Sequence, residues 1–215
     1  FYNSGIQTVE DISRLASQIS NGRHPLFGKG TTMDFFGYSI GSFLAEILLM
    51  ANPWKLFSAS RLFIFCGGAI FGNMYGESKY IMDKQAYNLL LQFYCKNWIG
   101  KGQNRQISQD NTNDIVFQSF KSMIQPDINR NERESFFNRQ KHRIAGISLL
   151  KDKVMPFSGV EACMGKQRAG ECFKVMDFPF EYSHESPFPK NGRIHGSELA
   201  SAFSKVFNRG AEFLA

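Results

Sequence analysis

A chain of 215 residues and 24.5 kDa is long enough to bury one well-formed core, or a core with an inserted cap. Hydrophobic content of 43% with 20% charged residues excludes an intrinsically disordered chain. The net charge of +6 is not gathered into a nucleic-acid-binding stripe: the densest basic run, Arg130 to Arg143, is interleaved with Glu132 and Glu134 and reads as a solvated helix face. No apolar run reaches the ~18 residues of a transmembrane span, because Glu46 interrupts the longest. The four cysteines show neither Cys-x-x-Cys spacing nor matching histidine pairs, which argues against a zinc site. Cys66 reads as a small buried hydrophobe, while the pairing of Cys163 with Cys172 is left open with the redox compartment. The sequence opens on Phe1, so a targeting segment can have preceded it, and localisation stays undecided.

In chain order, Val9, Ile12, Leu15, Ala16 and Ile19 recur at three- and four-residue spacing, an amphipathic helix ending near Asn21-Gly22. A glycine- and proline-containing loop holding His24 follows, and His24 reads as a surface residue. Met33, Phe35 and Phe36 then form a short apolar strand that runs into Gly37-Tyr38-Ser39-Ile40-Gly41. This Gly-x-Ser-x-Gly pattern is that of a nucleophile elbow, where a strand turns sharply into a helix and leaves the serine hydroxyl at the apex. Phe43 to Ala51 supplies the helix, and a Cβ at either Gly37 or Gly41 is expected to collide where strand and helix backbones meet.

Arg61 to Cys66 is a continuous apolar run of the kind buried on both faces in a parallel sheet. Helical patterns then occupy Ser78–Trp98, Asp114–Ile124 and Asn131–His142, a block at 70–142 that reads as a helical cap or insertion. The sheet grammar resumes with a strand at Arg143–Leu150, a helix at Phe157–Met164, a strand at Cys172–Phe178 and a last helix from His195 or Gly196 to Gly210. The expected organisation is a core at 1–69 and 143–215 interrupted by the cap.

Three features in order make the chain resemble the α/β-hydrolase superfamily. They are the elbow at Ser39, Asp152 in a strand-end loop followed by Val154 and Pro156, and His184 in the loop after the last strand. The resemblance implies an α/β fold with a mostly parallel sheet and helices on both faces. It also implies a metal- and cofactor-independent serine hydrolase acting on an ester, thioester or amide through an acyl-enzyme. Ser39 is then the nucleophile, His184 the base and Asp152 the acid that orients it, with the backbone N–H of Ile40 as one oxyanion donor. Rival assignments are His195 for the base and Asp177 for the acid, the latter disfavoured because it falls within a predicted strand.

The phenylalanine-rich cap points to an apolar acyl group and hence to an esterase- or lipase-like substrate, a small molecule. A catalytically inactive scaffold protein of the same fold and a capped peptidase are the alternatives. Only four strands are visible, whereas the resemblance implies about eight, the absent ones being those before the elbow. The first half of the sheet, with the second oxyanion donor, is expected from a preceding segment or a companion chain; otherwise the elbow strand would be an exposed edge.

Overall fold

The computed structural model describes residues 2–78, 82–99, 112–190 and 196–215. Four parallel strands form one sheet in the order β1 (Phe35–Tyr38), β2 (Leu62–Phe65), β5 (Ile144–Leu149), β6 (Phe173–Met176). A separate antiparallel pair, β3 (Glu77–Ser78) and β4 (Met82–Asp83), lies between the second and third of them in sequence. The fold class is α/β, as the alternation of apolar strands and helices requires.

The helices are α1 (Tyr2–Ser20), α2 (Ile40–Ala51), α3 (Lys84–Tyr94), α4 (Thr112–Ser122), α5 (Arg130–Arg139), α6 (Phe157–Met164), α7 (Lys166–Cys172) and α8 (Gly196–Leu214). The break between α6 and α7 falls at Gly165, whose φ of 85° is open to glycine and strained for other residues. Helix α8 runs through Gly210, where a stop was expected. A Cβ at Gly210 would stand 2.7 Å from the Phe36 ring, so this glycine serves close packing on the sheet and not termination.

The period of two along the strands divides the core. Leu62 and Ile64 of β2 face the layer that contains α2, α6 and α7, while Phe63 and Phe65 face the layer that contains α8. One row of the sheet reads Gly37, Ile64, Gly146, Phe173. At Gly146 a Cβ would come within 2.5 Å of the Phe173 ring, and at Gly37 within 2.7 Å of Ser42 Cα. The missing side chains let α2 and the Phe173 ring lie against the sheet.

Helices α4 and α5 share the core of α2 and α6: Phe120 meets Phe43 edge-on at 5.8 Å, and Met123, Ile124 and Phe137 are fully buried in the same cluster. Arg133 departs from the solvated face expected of the Arg130–Arg143 run. It is wholly buried and donates to the carbonyls of Cys163 at 2.7 Å, Ser122 at 2.6 Å and Ile128 at 2.8 Å. Burying a guanidinium is tolerable only when its donors are satisfied, and here they tie α4, α5 and α6 together.

Candidate active site

All the chemistry gathers at the carboxyl ends of the parallel strands, the place where open α/β sheets present their loops. Ser39 follows β1, Cys66 follows β2, Asp152 follows β5 and His184 lies in the loop after β6. Ser39 adopts φ 54°, ψ −129°, a region costing about 1–3 kcal/mol for a non-glycine residue. It is held there by Ser39 N–H donating to the Phe65 carbonyl at 3.3 Å, and by the Ser39 carbonyl accepting from Ser42 N at 3.0 Å and Ser42 Oγ at 2.6 Å. Three hydrogen bonds to two partners, Phe65 and Ser42, therefore hold the strand-to-helix turn.

The strained turn aims Ser39 Oγ at His184 Nε2, 2.6 Å away. On the other side of the ring, His184 Nδ1 lies 2.8 Å from Asp152 Oδ2. Asp152 Oδ1 accepts from the backbone N–H groups of Val154 and Met155, both at 2.9 Å, so the loop after β5 fixes the carboxylate before the histidine meets it. All three side chains are buried, with exposures of 5% for Ser39, 4% for Asp152 and 2% for His184. With Nδ1–H donating to Asp152, Nε2 is the acceptor that faces the serine hydroxyl. This is the polarity needed to take a proton from Oγ.

Over its residues 1–215 the chain matches a family described only as of unknown function, DUF6051. It belongs to that family. Comparison with curated proteins and with solved structures finds no match. In this DUF6051 member Ser39, His184 and Asp152 form one hydrogen-bonded chain of side chains.

Ile40 is the first residue of α2, and its N–H is among the first-turn donors that a helix leaves without an intrahelical acceptor. Gly37 is sterically required, but Gly41 is not: a Cβ at 41 would meet nothing within 4 Å. The expected collision thus holds on the strand side of the elbow alone, because Gly41 sits on the exposed side of the first helical turn.

Asp177 lies just past the end of β6, not within the strand as expected. What separates it from Asp152 is environment. Its side chain is 44% exposed, 3.9 Å from Lys151 Nζ, and its Oδ1 accepts from the Tyr182 hydroxyl at 2.8 Å. His195 lies outside the described residues. His24 is spent within its own loop, where Nδ1 accepts from the N–H groups of Leu26 and Phe27 at 3.2 Å.

Two neighbours of the site were not singled out as functional from sequence. The Tyr38 hydroxyl donates to the backbone carbonyl of His184, and its ring stacks on the imidazole with centroids 5.7 Å apart and planes 15° from parallel. Cys66, at φ 49°, is fully buried against Asp152. Burial, then the charge of Asp152 and a hydrogen bond to it, push the Cys66 thiol far above its usual range, so it is a neutral donor and not a nucleophile. The alternation of β1 held a signal for Tyr38: with Gly37 against α2, residue 38 must project to the opposite face.

Among the described residues no helix is long and apolar enough to cross a membrane, and no three His, Cys, Asp or Glu side chains form a group that could hold a metal ion.

Proposed function

We propose that this chain is a serine hydrolase that cleaves an ester, thioester or amide through an acyl-enzyme. The single observation that carries the reading is the continuous relay Ser39 Oγ–His184 Nε2 at 2.6 Å and His184 Nδ1–Asp152 Oδ2 at 2.8 Å, built on a strained elbow. Ser39 Oγ attacks the carbonyl carbon while its proton passes to His184 Nε2. Asp152 holds the ring in the required tautomer and stabilises the imidazolium. The Ile40 N–H donates to the oxyanion. Collapse of the tetrahedral species expels the alcohol, thiol or amine, which takes the proton from Nε2. Water then repeats the sequence on the acyl-serine and releases the acid. The chemistry needs no metal or cofactor, and the 22 phenylalanines favour an esterase- or lipase-like acyl substrate.

The reading extends to a partner. Among the described residues β1 pairs with β2 alone, and the inward amides of Phe35 and Ser39 imply that those of Phe36 and Tyr38 point to the open edge. A further strand, from the same polypeptide or a companion chain, would pair there, cover the edge and bring the second oxyanion donor. A 215-residue chain that is stable, monomeric and fully active unaided would remove this part of the proposal.

A serine-directed fluorophosphonate tests the whole. Labelling is expected at Ser39, abolished in Ser39→Ala and collapsed in His184→Ala. Absence of labelling, with any partner that covers the β1 edge present, would sink the hydrolase reading.

A further inference from the structure

We propose that Tyr38 is a positioning residue that holds the His184 imidazole in register with Ser39; this rests on the hydrolase reading of the site. His184 belongs to the loop that joins β6 to α8, and the described backbone bonds around it are the reciprocal pair between Ser183 and Ser186, at 3.2 and 3.3 Å. Its ring is held at Nδ1 by Asp152 and at Nε2 by Ser39. The second of these contacts cannot survive catalysis, because acylation removes the hydroxyl proton of Ser39. At that stage the imidazole must stay in place to deliver a proton to the leaving group and then to activate water.

Tyr38 supplies two contacts that do not depend on the state of the nucleophile. Its hydroxyl donates to the His184 backbone carbonyl, and its ring lies against the imidazole at 15° between planes. The tyrosine is itself seated on the sheet, its ring 5.8 Å from that of Phe65 on β2. Adjacency explains the coupling: Tyr38 is the last residue of β1 and Ser39 the turn that follows, so one rigid strand end sets both the nucleophile and the clamp on its base. Burial, helped by the neighbouring Cys66, Asp152 and Glu185, raises the phenol well above its ordinary value and keeps it protonated. It therefore donates at any pH at which the base operates.

Removing the hydroxyl and removing the ring separate the two contacts. In Tyr38→Phe the rate of fluorophosphonate labelling is expected to fall about tenfold, the scale of one net hydrogen bond. In Tyr38→Ala it is expected to fall about 100-fold, the scale of a misplaced catalytic group. In both, the far-downfield proton resonance of His184 Nδ1–H should broaden through faster exchange with water. The control is Tyr87→Phe, which deletes another phenol-to-carbonyl bond, Tyr87 to Phe71 at 3.0 Å, away from the site. It should lower thermal stability as Tyr38→Phe does and leave labelling and the Nδ1–H line unchanged. An unaltered Nδ1–H line and wild-type labelling in Tyr38→Phe would overturn the assignment, and so would equal slowing in Tyr87→Phe. Should the wild type fail to label, the hydrolase reading falls, while the Nδ1–H line still decides whether Tyr38 holds the histidine.

Discussion

Asp152 and Glu46 are both carboxyl side chains withdrawn from water, one at the end of β5 and the other inside α2, and the fold treats them in opposite ways. Asp152 accepts two backbone N–H bonds, the His184 ring N–H and the Cys66 thiol. Glu46 is wholly buried, and neither of its oxygens has a hydrogen-bond partner among the described residues. Burial pushes the Glu46 carboxyl well above its ordinary value, so it is carried as the neutral acid. The lesson is that depth does not make a functional carboxylate. Donors arranged in advance keep a buried charge usable; without them the group sheds its charge and becomes a cost to stability.

The contrast can be broken most forcefully at Asp152. In Asp152→Asn an amide N–H would face His184 Nδ1 and impose the wrong tautomer, with the proton on Nε2 toward Ser39. Labelling of Ser39 is expected to fall by about 10⁴-fold while thermal unfolding moves little. A labelling rate within about tenfold of wild type would show that Asp152 does not orient the base.

At Glu46 the expected effect is on stability, and it is favourable. Glu46→Met keeps the volume and removes the unpartnered carboxyl, so unfolding in denaturant should show a gain of about 1–3 kcal/mol. The pH dependence gives the same comparison a second reading. A folded value raised above the unfolded one leaves stability intact below the ordinary carboxyl value of 4.5 and erodes it as pH climbs toward the raised folded value. Melting temperature measured from about pH 4 upward should therefore decline more in the wild type than in Glu46→Met. Parallel profiles would show that Glu46 is ionised or solvated in the native protein.

The smallest effect belongs to Asp177. Half-exposed and paired with Lys151 across 3.9 Å, it is a surface ion pair of the kind worth about 0–1 kcal/mol. Asp177→Asn should leave labelling within about twofold and stability within about 0.5 kcal/mol. A larger loss of labelling would move the proposed role of acid from Asp152 to Asp177.

Much of the fold is legible in short stretches of the chain. The run Leu-Phe-Ile-Phe at 62–65 has to be buried on both sides, and the structure buries all four residues in β2. Helix α6 begins and ends where its pattern does, at Phe157 and Met164. Gly37 before Ser39 announces a close strand-to-helix approach, which the 2.7 Å from a would-be Cβ to Ser42 explains. These features depend on dihedral preferences and on periods of two and about 3.6, which neighbours in sequence carry by themselves.

Other features have no local signature. Arg133 stands in a run of charges indistinguishable from a surface helix, and only the carbonyls of α4 and α6 converging on it make it a buried strut. Asp152 and Asp177 are both strand-end carboxylates, told apart by two loop amides, one thiol and a distant imidazole. Tyr38 meets His184 across 146 positions of chain. By itself the sequence determined the four strands of the sheet, the elbow and the order serine, aspartate, histidine, because these are written in residue type and spacing; α7 and the β3–β4 pair, the latter where a helix from Ser78 was expected, were not legible in it. Only the tertiary structure decided which carboxylate is furnished with donors, which is orphaned, and which tyrosine lies on the histidine. Apart from the local amides of Val154 and Met155, those depend on contacts between residues far apart in the chain, set by how helices and loops pack against one sheet.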